Sequence, residues 1–594
     1  MKMALRTQQI LTTIVPTALL CIFSLLPLAP ASLAFVPDAS SIIARGCPHT
    51  CTAVSRSPAL SASSSPSTST TTAPSLQTLA DDINDRIDQL KPEFIKNCKV
   101  RVAPSPSSGH RLGLVATDKI GKDSVALSIP YDDQLVLTPD LASKNVLEGF
   151  LPEGYDGWTG DVGLLAMLLL NELARADEQG GDGGGGGGGG GIALPKRKPE
   201  CQALISSWIK VLPSPKEMST LHPLLWNEDV QEVLQGSSTR KIYRTLDDIE
   251  EDGTWLTERV WSADRTRFPE TVTINGESRP CFAVDGFAWA TAVASSRSNF
   301  VDGSLRILPF IDLANHADLG TEEVRGGTMG AFGTTKGAEI RTASTKTYEV
   351  GDEVFVNYGP KSAAEYLLEH GFIPKQARTT AVSELTFEVD QEDRFYDDKL
   401  DILEFETYDS APMEPLQSFD VVQEPGRDGE PDPAIMQFLR LAKLGGKDAF
   451  LLESIFRKEV WGFMGLPVSE ANERGVVEEI EAACTKALGE MDAIEKDAGI
   501  NTSGDADTDA EDDTSPEGLC AVVRKAERKA LTRTSEYMQR EREALDLKVY
   551  YQERRLKDLG LDSEWDPESD LGGFDDDGLN YGQTRLPGGG DLDW

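Results

Sequence analysis

Two short segments of the chain concentrate polar and aromatic side chains that could bind a polar ligand and act on it. They are Asp312, Asn315 and His316 within residues 308–316, and Tyr358, His370 and Phe372 within residues 348–372. A carboxylate, a carboxamide, an imidazole and a phenol supply the hydrogen-bond donors and acceptors that such a ligand needs. Each motif also has a structural explanation, the Asn-His pair as a turn and Tyr358 as a core aromatic. No cluster of metal-ligand residue types accompanies His316, so we predict no metal site.

Two other positions could join these segments in one ligand site. Arg111, Leu112 and Gly113 open a short apolar run, and the missing side chain of Gly113 would let a ligand approach the backbone closely. Arg297 follows a run of alanines and aromatic residues, and its guanidinium could bind a carboxylate through charge-assisted hydrogen bonds. An arginine at the end of a helix is by itself usually a surface charge. Its assignment to a site therefore depends on the residues around it.

Composition and charge exclude some classes of function for this protein. The 594-residue chain has 58 basic and 98 acidic residues, a formal net charge of −40. A nucleic-acid binder needs a basic face, so this balance argues against that class. Much of the acidic excess lies in residues 505–517 and in the tail of residues 561–594, which we expect to be disordered. The eight cysteines are scattered without a CxxC pair, which argues against a zinc cluster and a disulfide framework.

The first part of the chain has the pattern of a targeting sequence. Basic residues precede an apolar run over residues 10–28, and a small-residue cleavage site follows at Ala34, which predicts a signal peptide at residues 1–34. Two prolines interrupt the run and argue against a permanent membrane anchor. No other apolar run approaches the length of a membrane span, so we expect the processed protein to be soluble, without membrane contact.

A second targeting segment is expected after the signal peptide. Residues 39–80 contain no acidic residue and many serines and threonines, which is typical of a transit peptide and predicts a transit-like segment at residues 35–80. The sequence at residues 31–37 resembles the bipartite plastid presequence of algae with secondary plastids. That resemblance implies delivery to the plastid stroma. Ordinary secretion with a Ser/Thr-rich linker is the competing interpretation.

The rest of the chain alternates between strand-rich and helical regions. Short apolar runs in residues 81–132 predict strands, and residues 135–280 are mainly helical. An unbroken glycine run at residues 183–191 predicts a flexible surface insertion. Strand and turn patterns return over residues 284–374, and helical periodicity dominates from residue 383 onward. We therefore expect an α+β fold.

The order of these regions, with the motifs around Asn315 and Tyr358, resembles the SET-domain methyltransferases typified by the Rubisco large-subunit lysine methyltransferase. The resemblance implies a SET-domain β-fold at residues 81–375 with a helical insertion inside it at about residues 135–280. It also implies an all-α substrate-binding lobe at residues 383–560. The implied cofactor is S-adenosyl-L-methionine, and the implied reaction is N-methylation of lysine side chains in proteins.

The resemblance implies roles for individual residues as well. Tyr358 would be catalytic, with its hydroxyl at the methyl-transfer channel. Arg297, Asp312 and His370 would bind substrate. The implied cofactor-binding residues are Arg111, Leu112 and Gly113 along the methionine part, Arg297 at its carboxylate, Asn315 and His316 on the adenine side, Tyr358 at the channel and Phe372 against the adenine.

Two positions depart from the family pattern. Ala363 follows a serine where the family commonly has asparagine, and His370 stands where it commonly has tyrosine. We favour a monomeric protein-lysine methyltransferase that acts on a plastid protein such as the Rubisco large subunit. Because of the departures, a protein-histidine methyltransferase and a non-catalytic SET-like protein-binding module stay open as alternatives.

Overall fold

The computed structural model describes most of the chain between residues 74 and 559. The described residues are 74–91, 95, 97–107, 111–145, 160–177, 197–317, 323–329, 335–406, 413–423, 428–457, 459–497 and 514–559. The expected signal peptide, the transit-like segment up to residue 73, the glycine run and the acidic tail lie outside them, as does most of the acidic segment at residues 505–517.

The described regions alternate helices with short strands. The helices are α1 Leu76–Leu90, α2 Pro139–Asn145, α3 Gly160–Arg175, α4 Pro199–Val211, α5 Pro215–Leu221, α6 Glu228–Gln231, α7 Ile242–Arg259, α8 Val284–Arg297, α9 Ala363–His370, α10 Tyr396–Glu406, α11 Pro433–Ala442, α12 Val460–Phe463, α13 Glu470–Asp497, α14 Pro516–Glu543 and α15 Tyr551–Asp558. The strands are β1 Val100–Pro104, β2 Leu112–Ala116, β3 Val125–Pro130, β4 Thr271–Ile274, β5 Glu277–Pro280, β6 Ser298–Val301, β7 Ser304–Ile307, β8 Glu323–Met329, β9 Thr335–Arg341, β10 Glu353–Val354, β11 Ala381–Glu388 and β12 Leu416–Gln423. Among these helices none is long and apolar enough to cross a membrane.

Helix α1 packs against β1 and α4. Ser75 caps it by accepting a hydrogen bond from the Thr78 amide at 3.2 Å. The Asn84 side chain exchanges two hydrogen bonds with the backbone of Val102 in β1, at 2.8 and 2.9 Å. Residues 75–80, which the sequence analysis assigned to the transit-like segment, therefore form the cap and the first residues of α1.

Two three-stranded antiparallel sheets form the β-fold. One has the strand order β1–β2–β10 and the other β3–β9–β8. A single parallel bridge pairs His316 with Val356. This bridge sets the Asn-His segment beside the segment that ends in Tyr358, and so brings together the two regions singled out in the sequence.

The expected insertion is mainly helical, and it also contains the β4–β5 hairpin. Its central helix α3 is buried almost all round, which fits its run of leucines, and it packs against α8 and α4. Trp208 of α4 is 1% exposed. The insertion therefore lies against α8, the helix that ends in Arg297.

The C-terminal lobe has its own hydrophobic core, built mainly from α10 to α14. The expectation of an all-α lobe needs one correction, because β11 and β12 pair antiparallel from Ala381 with Gln423 to Glu388 with Leu416. Buried positions alternate with less buried ones along β11, the period of a strand that covers a core with one face. The lobe is otherwise helical, and the fold class is confirmed as α+β with a helical C-terminal region.

Helix α14 belongs to both cores. Leu519 and Val523 at its start lie in the first core, and Ala530 and Leu531 lie in the second. The Nη1 of the buried Arg524 donates to the Val233 carbonyl in the insertion at 2.6 Å. This helix therefore joins the lobe to the insertion through apolar and polar contacts.

Candidate active site

Arg297, the last residue of α8, is held by a buried carboxylate. Its Nη1 donates to Oδ2 of Asp312 at 2.9 Å and to the Asp312 carbonyl at 3.2 Å. Trp208 donates from Nε1 to both carboxylate oxygens, at 3.0 and 3.1 Å. Burial raises the pKa of Asp312, and the Arg297 charge opposes this rise.

The geometry gives Asp312 a positioning role, and its expected role as a substrate-binding residue stays a prediction. Its side chain has no exposed surface, whereas that of Arg297 is 21% exposed. Both carboxylate oxygens accept hydrogen bonds from Arg297 or Trp208. Asp312 thereby fixes the direction of Arg297, whose exposed edge could bind a ligand carboxylate.

Asn315 is bonded to the strand pair β2–β10. Its Nδ2 donates to the Leu112 carbonyl at 3.2 Å and to Oε1 of Glu353 at 2.8 Å. Oε2 of Glu353 accepts the Ser105 hydroxyl at 2.9 Å. A Cβ on Gly113 would lie 2.5 Å from Oε1 of Glu353 and 2.9 Å from Nδ2 of Asn315. Glycine at this position is therefore required by the packing of two polar side chains.

Five rings form the aromatic cluster, which comprises His316, Tyr358, Tyr366, His370 and Phe372. Tyr358 lies 4.8 Å from His370 and 5.1 Å from His316, measured between ring centroids. Phe372 lies 5.9 Å from His316 and 6.3 Å from Tyr358. The cluster is tilted rather than stacked, as aromatic groups in cores usually are. Four of its members were predicted site residues, and the fifth, Tyr366, was not.

Tyr358 has a defined orientation at both its backbone and its hydroxyl. Its backbone N–H donates to Nδ1 of His316 at 3.3 Å, and its hydroxyl donates to the Ala314 carbonyl at 3.0 Å. Burial raises the pKa of Tyr358 to about 12, although the charges of Arg297 and Arg111 oppose the rise. The phenol therefore stays protonated near neutral pH, and its oxygen keeps lone pairs that can accept a further hydrogen bond.

His370 is a neutral imidazole in this setting. Because a carbonyl only accepts, Nδ1 must donate to the Ser296 carbonyl, at 3.2 Å. Burial, followed by the nearby Lys361 charge, lowers the pKa of His370 to about 3. Its side chain is 8% exposed, and Nε2 lies 3.8 Å from the nearer carboxylate oxygen of Glu369. In the described part of the chain Nε2 of His370 has no hydrogen-bond partner, so the aromatic cluster contains a buried acceptor nitrogen.

The start of α9 accommodates the first departure from the family pattern. Ser362 and Glu365 form a capping box, in which the Glu365 amide donates to the Ser362 hydroxyl at 3.3 Å and the Ser362 amide donates to the Glu365 carboxylate at 2.7 Å. Ala363 is buried directly behind this cap. The helix therefore has a complete N-terminal cap with alanine at this position.

The end of α9 is fixed by the insertion. Gly371 terminates the helix with φ of 76°, and a Cβ there would overlap the carbonyl oxygen of Leu221. Nε2 of His222 donates to the Glu369 carbonyl at 3.1 Å, while Nδ1 accepts the Leu224 amide at 3.3 Å. Burial lowers the pKa of His222 to about 4. The insertion thus positions the turn that carries His370 and Phe372.

The predicted residues lie around Tyr358, with three of them at the margin. Gly113 and Leu112 contact the site through Asn315, and Arg111 is exposed and acts on Tyr358 through its charge. The sequence analysis missed the following contributors: Trp208, Glu353 and Tyr366. Of these, only Glu353 had a local signal, because it is an acidic residue that immediately precedes an apolar run.

The residues present fit the implied S-adenosylmethionine, which carries a carboxylate, an ammonium and a sulfonium. The exposed edge of Arg297 suits the carboxylate, and Glu353 is a buried acidic group that forms no ion pair with a lysine or arginine of the described residues. The cluster offers a hydrophobic wall for an aromatic base. Across the described residues, no group of three or more His, Cys, Asp or Glu side chains could hold a metal ion.

Comparison with known proteins finds a family model that matches the C-terminal lobe. The family model described as "Rubisco LSMT substrate-binding" matches residues 390–531, which lie in the C-terminal lobe.

Curated plant proteins match most of the chain. It is 30% identical over 474 residues to the ribulose-1,5 bisphosphate carboxylase/oxygenase large subunit N-methyltransferase, chloroplastic, of Nicotiana tabacum, covering 77% of this chain and 83% of that protein. It is 30% identical over 465 residues to the [fructose-bisphosphate aldolase]-lysine N-methyltransferase, chloroplastic, of Arabidopsis thaliana, covering 76% and 82%.

Solved structures match the fold over a similar extent. The SET domain of LSMT bound to lysine and AdoHcy has a TM-score of 0.61 and 26% identity, with 84% of this chain and 99% of that chain covered. Rubisco LSMT bound to AdoMet has a TM-score of 0.57 and 25% identity, with 82% and 97% covered.

Proposed function

Because the chain belongs to the SET-domain protein-lysine methyltransferases of the Rubisco large-subunit methyltransferase type, we propose that it methylates lysine side chains of a plastid protein. S-adenosylmethionine is the methyl donor. The observation that carries the proposal is the convergence of Arg297, Asn315 and the aromatic cluster on Tyr358. These residues come from separate segments, and only the fold brings them together.

Several residues of the site would each bind one part of the methyl donor. The donor supplies an electrophilic methyl group on a sulfonium. Arg297, oriented by Asp312, would hold the donor's carboxylate, and Phe372 with His316 would line the adenine side. Leu112 and Gly113 would lie along the methionine part. Fixing both reactants in this way supplies much of the rate in a displacement that needs no enzyme-bound intermediate.

Tyr358 would orient the acceptor amine. Its hydroxyl proton is committed to the Ala314 carbonyl, so its oxygen presents lone pairs to an amine N–H. That contact would turn the nitrogen lone pair toward the methyl group. The amine must first lose a proton, since the ordinary pKa of lysine is about 10.4. A desolvated channel beside a sulfonium lowers that pKa because it disfavours the ammonium form.

His370 would keep the channel free of an additional positive charge. A protonated imidazole beside Tyr358 would repel both the sulfonium and a lysine ammonium. The pKa of about 3 keeps His370 neutral near neutral pH. Its Nε2 would then serve as an acceptor for the substrate, which supports the expected substrate-binding role.

We propose the plastid stroma as the working compartment and a bipartite presequence as the route. The curated relatives that match are chloroplastic, which supports the plastid. The protein substrate is one such as the Rubisco large subunit or an aldolase, since these are the substrates in the relatives' names. The lobe at residues 390–531 would present that substrate, and the enzyme would act as a monomer.

Substrate choice can be tested with purified full-length protein and labelled S-adenosylmethionine. Purified Rubisco, purified plastid aldolase and an unrelated lysine-rich protein are offered in parallel at equal concentration. We expect label in Rubisco or aldolase and none in the unrelated protein. Equal label in all three would contradict a dedicated protein substrate.

A further inference from the structure

Glu353 connects three parts of the candidate cofactor site. It lies in β10 and is 7% exposed. Its Oε1 accepts Nδ2 of Asn315 at 2.8 Å. Its Oε2 accepts the Ser105 hydroxyl at 2.9 Å and the Ser107 amide at 3.3 Å. Every partner is a donor, which is the arrangement that an ionised carboxylate accepts.

Among the residues that the structure describes, no lysine or arginine side chain balances the charge of Glu353, whereas Asp312 nearby has Arg297. A buried charge without an opposite charge is costly, and such groups are normally paired. The imbalance indicates that a cationic ligand completes this part of the site.

Glu353 also fixes which end of the Asn315 amide faces the site. Nδ2 is committed to Glu353 and to the Leu112 carbonyl. The amide oxygen Oδ1 therefore points away from both, and no described residue donates to it. It is an acceptor beside Leu112 and Gly113 at the start of β2, which the resemblance places along the methionine part of the cofactor.

We propose that Glu353 is a positioning residue that, through Asn315, recognises the α-ammonium group of S-adenosylmethionine. This inference rests on the proposed function and adds a residue to it. Glu353 fixes Asn315 with its oxygen toward the ammonium and supplies the counter-charge. Asn315 and His316 would then have different roles, because His316 lies in the aromatic cluster while Asn315 lies against Leu112.

The substitution Glu353→Gln tests both parts of this proposal. A glutamine amide would keep its oxygen toward Ser105 and Ser107 and would turn its NH2 group toward Asn315. Asn315 would then flip its oxygen toward the glutamine and present an NH2 group to the ammonium. The Asn315 NH2 group and the ligand ammonium, which are both donors, would then face each other, and the negative charge of Glu353 would be absent.

Two ligands separate recognition of the ammonium from general damage to the site. S-adenosylhomocysteine carries the amino-acid part, and 5′-methylthioadenosine has the same adenosine thioether without it. We would measure both affinities by titration calorimetry with full-length wild type, with Glu353→Gln and with Glu349→Gln. Glu349 is a matched control, because its side chain is 63% exposed and it pairs with Lys119 at the surface.

We expect Glu353→Gln to weaken binding of S-adenosylhomocysteine by about tenfold or more, because the loss of one charge-assisted hydrogen bond has about that effect. Binding of 5′-methylthioadenosine should stay within about twofold of wild type, because this ligand has no ammonium group. Glu349→Gln should change neither affinity. Adding Asn315→Asp to Glu353→Gln should recover part of the lost affinity, because an ionised carboxylate at this position presents an oxygen to the ammonium in either orientation.

Equal losses for both ligands, or no loss for either, would overturn the proposal. An unfolded Glu353→Gln apoprotein would overturn it as well, because the hydrogen bonds of Glu353 to Ser105, Ser107 and Asn315 would then serve the fold rather than the ligand. Failure of the wild type to bind either ligand would instead refute the proposed function, and this inference would fall with it.

Discussion

At the scale of single residues, the site consists of polar groups that are each held in one state. Tyr358 is kept protonated, with its hydroxyl bonded to the Ala314 carbonyl. His370 is kept neutral by burial. Asp312 is enclosed and fixes Arg297. Such fixed groups suit a reaction whose rate depends on position and local charge more than on proton transfer by the enzyme.

Replacing Tyr358 with phenylalanine tests the role of the hydroxyl. We expect kcat to fall on the order of a hundredfold, since the loss of one preorganised contact at a reacting centre has that effect. Affinity for S-adenosylhomocysteine should stay near the wild-type value, because the ring remains in the aromatic cluster. The measurements are steady-state kinetics and titration calorimetry.

The matched control is Tyr243→Phe, which removes a hydroxyl that donates to the Gln231 carbonyl at 2.7 Å outside the cluster. It should leave kcat nearly unchanged. Equal falls in kcat for the two variants, or a parallel loss of turnover and cofactor affinity in Tyr358→Phe, would refute the assigned role.

Contiguous motifs made part of the site predictable from the sequence. Asn315 and His316 are adjacent in the chain, and Tyr358 and Phe372 follow in order, so their types and spacing indicated a common site. The Trp208 contact with Asp312 joins residues 104 positions apart and depends on how α4 packs, which no local pattern encodes. Glu353 had a local signal in the sequence, but its bond to Asn315 on another segment did not.

At the scale of elements, residues of the insertion contact the segments that carry the candidate site. Trp208 of α4 donates a hydrogen bond to Asp312, and His222, which follows α5, donates one to the Glu369 carbonyl near the end of α9. Helix α3 was predictable from its continuous run of apolar residues, and α13 from apolar residues that recur every three or four positions. The β11–β12 pair was not predicted, although buried and less buried positions alternate along β11, because the helical patterns of the rest of this region dominated its interpretation.

Trp208→Phe measures the support that the insertion gives to Asp312. The variant removes the Nε1 donor and leaves a buried carboxylate with fewer hydrogen bonds. We therefore expect the free energy of unfolding to fall by roughly 1–3 kcal/mol. We also expect a higher KM for S-adenosylmethionine, because Arg297 loses its fixed direction. Chemical denaturation and kinetics give the two values.

Trp226→Phe is the control for this change. Trp226 is 4% exposed, and its Nε1 has no hydrogen-bond partner among the described residues, so its removal should cost less and leave KM unchanged. If both variants lose the same stability and neither alters KM, the Trp208 bond does not support the site.

Gly371→Ala tests whether the end of α9 must pass close to α5. Both the positive φ and the overlap with the Leu221 carbonyl oppose a side chain, so we expect a loss of roughly 1–3 kcal/mol in stability. Activity should fall as well, because the turn carries His370 and Phe372. Thermal unfolding and kcat/KM report the two effects.

Gly351→Ala isolates the backbone contribution. Gly351 also has a positive φ, of 95°, but a Cβ there would meet open space. It should lose about 1 kcal/mol of stability and keep its activity. An equal loss of activity in both variants would show that contact with Leu221 is irrelevant.

At the scale of the whole molecule, α14 links the C-terminal lobe to the insertion through a carboxylate whose ionisation depends on pH. Both oxygens of Glu527 accept the Ser238 amide at 3.1 Å, and Oε1 also accepts the Ser238 hydroxyl. Burial raises the pKa of Glu527 to about 7, although Lys241 and Arg240 oppose the rise. The contact between the two parts therefore changes protonation in the neutral range.

The sign of the pH effect follows from this raised pKa. The folded protein holds the proton more tightly than the unfolded chain, so the stabilisation is complete below about pH 4.5 and is lost as pH rises through about 7. Its size is at most about 3 kcal/mol. We expect Glu527→Gln to remove this slope between about pH 4.5 and 7 in denaturation experiments. Parallel curves for wild type and variant would contradict the assigned pKa.

The measurement that tests the central claim most directly is mass spectrometry of a substrate protein after reaction with S-adenosylmethionine. Full-length wild type and Tyr358→Phe are compared on the same plastid extract. We predict added methyl groups on one defined lysine with the wild type, and a large reduction with the variant. Methyl groups on a histidine, or none despite measurable cofactor binding, would contradict the assignment as a protein-lysine methyltransferase.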